Sequence, residues 1–99
     1  MGIGVSSPTV RYLLLTRPEC HLCTEMEHLL SEVLPSFGEG FVMANVDSDP
    51  EWRRRYGEVI PVLLRDGKAV AKIRLKRDQL EKIVRRSRGF REGHLRDQR

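Results

Sequence analysis

Cys20 and Cys23 are the only cysteines in this 99-residue chain, and they stand three positions apart between an apolar run ending at Leu15 and a helix-like run beginning at Leu22. A disulfide framework would spread more cysteines along the chain, and a structural zinc site would normally bring a second ligand pair. Neither pattern is present. A bridge between the two would close so short a loop that chain entropy gives it only about 2 kcal/mol, which makes it a poor staple. Residues three apart on a helix hold their Cβ atoms roughly 5–6 Å apart, whereas a disulfide wants roughly 3.5–4.5 Å. A small adjustment of a first helical turn therefore lets such a pair open and close. The spacing points to reversible thiol–disulfide chemistry, in which a thiolate is the attacking species.

The elements around the pair decide whether a thiolate can form. Val10 to Leu15 is a short apolar run bounded by Pro8 and Pro18, without the alternation of a strand wetted on one face, and reads as a central buried strand. Leu22, Met26, Leu29, Leu30, Val33 and Leu34 recur at helical spacing, with glutamates between them and Pro35 ending the pattern. Cys20 then falls where a helix begins, and the unpaired amides and dipole of a helix start stabilise an anion there. Phe41 to Val46 predicts a second strand. Asp47-Ser48-Asp49-Pro50-Glu51 supplies capping side chains and a helix-starting proline for a short helix through Tyr56, ended by Gly57. Ile60 to Leu64, then Asp66-Gly67, then Ala69 to Leu75 carry the signature of an antiparallel hairpin with a tight primed turn. Asp78 is placed to cap a last helix whose inward face is Leu80, Ile83 and Val84. Strands alternating with helices call for an α/β fold, here a four-stranded mixed sheet in the order β-α-β-α-β-β-α with helices on both faces.

Size and charge limit the alternatives. A chain this short makes one small domain, expected over residues 9–85, with residues 1–8 as a frayed N-terminus and 86–99 as a basic flexible tail. Residues 1–84 hold twelve Lys/Arg and twelve Asp/Glu, so the net charge of +4 belongs entirely to the last fifteen residues. That end reads as a solubilising tail rather than as an RNA- or protein-docking arm, and nucleic acid is not expected as a partner. Met1-Gly2 with Ser6 satisfies the short myristoylation pattern, which is too loose to outweigh a frayed terminus. No run approaches the length of a membrane span and no secretory signal is recognisable, so the expected compartment is the cytoplasm. His28 and His94 lack a spacing that would complete a metal site with two cysteines, and Thr24 stands where a haem-attachment motif needs histidine. Trp52, Tyr56 and Met26 read as core, and Arg53 to Arg55 as a solvated face.

Over roughly residues 9–84 the chain resembles the thioredoxin superfamily, and most closely its glutaredoxin-like branch. The resemblance rests on Cys20-His21-Leu22-Cys23 directly after the first strand, on the order of elements, on Ile60-Pro61 opening the third strand, and on Asp66-Gly67 before the fourth. It implies a dithiol–disulfide oxidoreductase in which Cys20 is the nucleophile, Cys23 resolves the mixed disulfide, and Pro61 is cis and lies against the cysteines. Arg17, where many glutaredoxins carry lysine, is implied with Ile60 and Pro61 as a substrate-binding residue, its cation favouring the thiolate and acidic partners. His21 would favour the Cys20 thiolate when protonated and Glu19 would oppose it. Protein or small-molecule disulfides are the implied substrates of an expected monomer. No cofactor is expected to be bound; glutathione, or a thioredoxin-type reductase, is implied as the reductant. The chain departs from the branch by having His21-Leu22 between the cysteines and Ala71-Lys72 where a Gly-Gly pair helps hold glutathione. Arg74, Lys76 and Arg77 remain as cations for its carboxylates and Asp78 for its amine. The alternative reading is a non-enzymatic module holding a metal or iron–sulfur cluster through its two thiolates, shared between two chains.

Overall fold

Three consecutive leucines cannot all face one side of a strand, so the strand that carries them must be covered on both. A computed structural model, which describes residues 11–88, places that strand, β1 (Tyr12–Thr16), in the middle of a four-stranded sheet. The remaining elements are α1 (His21–Val33), β2 (Phe41–Asn45), α2 (Pro50–Tyr56), β3 (Val62–Arg65), β4 (Lys68–Lys72) and α3 (Arg77–Arg88). The sheet order is β2-β1-β3-β4, with β1 parallel to β2 and antiparallel to β3, and β3 antiparallel to β4. The expected α/β architecture is the observed one.

Alternation along β1 divides the core. Tyr12 and Leu14 join Met26, Leu30, Val33, Leu63, Leu80 and Val84 on the side covered by α1 and α3. Leu15 joins Val46, Tyr56, Val62 and Leu64 on the side of the seven-residue α2, with Leu13 and Trp52 packed against them. Each fully buried leucine or valine contributes about 1.5–3 kcal/mol of apolar transfer, and this fixes the strand register that sets the position of Cys20.

Several boundaries differ from the sequence expectation. Val10 lies outside the described residues, and β1 runs one residue further, to Thr16. β2 stops at Asn45, because the Asn45 side chain accepts the Asp47 amide at 2.7 Å and turns Val46–Ser48 into a 3-10 turn. Pro35 tightens the chain rather than stopping it: Leu34–Phe37 winds on as a 3-10 turn, closed by Gly38 at φ 74°. The third strand begins at Val62, and Asp66 and Gly67, both at positive φ, make the primed turn. β4 ends at Lys72 rather than Leu75. The Lys76 amide is held at 2.9 Å by Gln79, so Asp78 lies inside the first turn of α3 rather than capping it. Of the ends expected to stay unfolded, residues 1–8 and 89–99 lie outside the described residues, whereas 86–88 belong to α3. Among the described residues no helix is long and apolar enough to cross a membrane.

Candidate functional site

β1 delivers the chain to a short loop in which Glu19 takes φ 61°, a left-handed conformation that turns Cys20 into the start of α1. Cys20 is the N-cap, with extended backbone (φ −109°, ψ 108°), and its Sγ accepts the Cys23 N–H at 3.2 Å. The Cys20 carbonyl accepts the first helical bond from the Thr24 amide at 3.1 Å and a second from the Thr24 hydroxyl at 3.3 Å. Sulfur thus occupies the place an aspartate or serine oxygen takes at other helix starts, aimed at an otherwise orphan donor. No acidic residue stands in the first turn of α1 to oppose a negative charge.

Cys20 and Cys23 are joined as a disulfide, with Cα atoms 5.2 Å apart, inside the ordinary range for such bridges. Their exposure differs. Cys20 is half-buried while Cys23 is only 4% exposed, so a reagent meets the first sulfur before the second. Both line a cavity of about 320 Å³ with Thr24, Glu27, Met43 and Asn45, and Arg17 stands on its rim.

Arg17 commits its guanidinium to the loop. It donates to both oxygens of Asp47 at 2.9 Å and to the Gly57 carbonyl at 3.1 Å. Those hydrogen bonds, then the Arg17 and Arg53 charges, hold the Asp47 carboxyl below its ordinary range, and Asp47 in turn raises Arg17. The β1–α1 loop is thereby tied to the 3-10 turn that precedes α2 and to the C-cap that ends it. Gly57 is required here for close approach rather than for a left-handed turn. Its φ is −56°, but a Cβ would stand 2.6 Å from the Arg53 carbonyl oxygen and 3.4 Å from Arg17 Nη2.

The Ile60-Pro61 peptide bond is cis and Pro61 is fully buried. Val62 pairs with Leu15, so Pro61 is one register step further, level with Thr16 at the sheet end that carries the cysteines. Ile60 packs in the core beneath α2, and neither residue is among those lining the cysteine cavity. The Pro61 carbonyl accepts the Ile73 N–H at 2.7 Å. His21 turns along the helix to Glu25, with 2.9 Å between Nε2 and Oε2. Asp47, Gly57 and Met43 reach the site only through tertiary packing, which no local sequence signal marks, whereas Glu27 stands one helical turn after Cys23 on α1. Among the described residues no three His, Cys, Asp or Glu side chains come together, so a metal held here would rest on two thiolates from one chain.

A four-stranded mixed sheet with a Cys-x-x-Cys bridge at the start of α1 and a cis-proline opening β3 defines a thioredoxin-like fold carrying a redox-type motif. Residues 11–85 match the family model of the Glutaredoxin-like domain (DUF836), and the chain belongs to that family. No curated protein matches it. Among solved structures it is similar to protein Ne2328 from Nitrosomonas europaea, with 24% identity, a TM-score of 0.65, and 84% of this chain and 98% of that one covered. It is also similar to the target protein XcR50 from X. campestris, with 23% identity, a TM-score of 0.62, and 74% and 93% covered. A mutant thioredoxin from Halobacterium salinarum matches at 19% identity with a TM-score of 0.55, covering 75% and 70%. These likenesses establish the fold.

Proposed function

We propose that this domain is a dithiol–disulfide oxidoreductase with Cys20 as the nucleophile and Cys23 as the resolving thiol. In the reduced state the Cys20 thiolate attacks a substrate disulfide, forming a mixed disulfide and expelling one substrate thiolate. Cys23 then loses its proton and attacks Cys20 Sγ, which closes the internal bridge and releases the second substrate thiolate. Two electrons pass from the dithiol to the substrate, and the protons finish on the substrate sulfurs at neutral pH. A thiol reductant, glutathione or a thioredoxin-type reductase, resets the pair.

The observation that carries this reading is the asymmetry of the bridge. The half-buried sulfur caps a helix and accepts an amide, while the buried one sits a turn deeper. Arg17, Asp47 and Gly57 act as positioning residues that hold the loop, and the cavity that both cysteines line with Thr24, Glu27, Met43 and Asn45 receives the substrate disulfide. The substrates are cytoplasmic protein or small-molecule disulfides, taken up by a monomer.

The test is reduction of insulin and of a small disulfide by the pre-reduced protein, together with a Cys23→Ser variant incubated with a disulfide-bearing protein. Turnover by the wild type and a stable mixed disulfide on Cys20 in the variant are expected. Absence of both would overturn the assignment.

A further inference from the structure

Five arginines of the described residues have acidic partners. Arg11 pairs with Asp66, Arg17 with Asp47, Arg54 with Glu51, Arg77 with Glu32 and Arg85 with Glu81. Four exposed cations on one side of the redox motif do not. Arg74, Lys76, Lys82 and Arg86 form no ion pair among the described residues, and they line two adjoining cavities of about 390 and 320 Å³. The first cavity is walled by Leu22, which lies between the two cysteines, and by Met26 and Ile73. The second continues along β4 and α3 past Val70, Ala71 and Ile83. Arg74, Leu75 and Gln79 line both, so the two form one groove running from the cysteine motif along two turns of α3, roughly 10 Å from Gln79 to Arg86.

The floor of this groove is apolar and its rim is cationic. The one carboxylate on its lining is Glu25, which is already engaged by His21. Among the described residues β4 is the outer strand of the sheet, with no further strand paired to its edge. In the wall of the first cavity Ile73 is 40% exposed and is held at φ 67° by its N–H to the Pro61 carbonyl and by Arg74 N–H to Lys72 O, each 2.7 Å. A β-branched residue held there presents apolar surface in the same cavity as Leu22 of the cysteine motif, at a cost in backbone energy.

We infer that this groove docks an extended acidic polypeptide segment with interspersed apolar residues, on the substrate whose disulfide Cys20 attacks. The identity of that polypeptide as a substrate rests on the oxidoreductase reading; the docking itself does not. Alternate side chains of an extended segment would fill the apolar floor while its carboxylates meet Arg74, Lys76, Lys82 and Arg86. RNA fits the charge but not the floor, because no aromatic ring lines the groove to stack a base.

The test uses the full chain with its bridge closed and three fluorescent probes of equal charge: a short peptide alternating glutamate and leucine, an all-glutamate peptide, and a single-stranded RNA. Fluorescence anisotropy should show the glutamate–leucine peptide binding tightest. Lys82→Glu with Arg86→Glu should weaken it at least about tenfold, and the milder Lys82→Gln with Arg86→Gln about threefold, with the far-ultraviolet spectrum unchanged. In a parallel assay the charge-reversed protein should lose kcat/KM for a disulfide flanked by glutamate and leucine and keep it for hydroxyethyl disulfide. Binding that neither double variant alters, equal binding of the all-glutamate peptide, or tighter binding of RNA would overturn the inference. Peptide binding as described, with neither disulfide reduced, would uphold the docking surface and remove the oxidoreductase assignment instead.

Discussion

Two junctions flank the Cys20–Cys23 bridge, and each carries a non-glycine residue at positive φ: Glu19 (61°) in the loop after β1, and Ile73 (67°) directly after β4. At the first, the neighbouring cation Arg17 is consumed by Asp47 and the Gly57 carbonyl, which locks the loop to α2. At the second, backbone hydrogen bonds hold the bend, and the cations that follow, Arg74 and Lys76, have no acidic partner among the described residues. The same residue type therefore has two uses beside one site: a paired guanidinium fixes the chemistry in place, and an unpaired one faces outward to a partner. Charge alone does not separate these uses; the presence of a partner does.

Removing the sulfur at the first junction should have the largest effect, with Cys20→Ser lowering disulfide reduction to the uncatalysed background while Cys23→Ser still forms one mixed disulfide per chain. Equal residual turnover in the two variants would erase the assigned difference between the sulfurs. Gly57→Ala pushes a Cβ to 2.6 Å from the Arg53 carbonyl oxygen, so a urea titration should read a loss of about 1–3 kcal/mol. Ile73→Asn sharpens the contrast, since asparagine tolerates the left-handed region. Stability should be unchanged or rise by up to about 1 kcal/mol, and a loss larger than that would mean Ile73 serves packing rather than presentation. The smallest effect concerns pH. The folded-state pKa of Asp47 is lowered below its ordinary 3.8, so its contribution is fully present above that value and is lost as pH falls through the lower native one. Urea midpoints of wild type and Asp47→Asn should differ at neutral pH and converge in strong acid.

The sheet, the central placement of β1, the Asp66-Gly67 turn and the buried faces of α1 and α3 were legible because each follows from local pattern: alternation, a turn dipeptide, or helical spacing. The cysteines and their helix start were legible for the same reason. Arg17 was visible as a cation but not as a tether, because Asp47 lies thirty residues away and nothing in its own neighbourhood marks it as a partner. Gly57 reads as a helix stop, yet the need for it comes from the Arg53 carbonyl and Arg17. The early end of β4 was hidden because isoleucine is among the residues least suited to positive φ, so Ile73 promises a strand that the tight turn closed by Arg74 N–H to Lys72 O cuts short. The cis bond at Pro61 followed from the family resemblance and from no local signal.

The most direct test is the rate of alkylation of Cys20 as a function of pH in the reduced Cys23→Ser protein, whose residue 23 keeps the amide that faces the Cys20 sulfur. The account predicts a Cys20 that stays reactive well below the free-thiol value of about 8.5. A rate that rises only at or above that value would contradict the claim that the start of α1 stabilises the attacking sulfur.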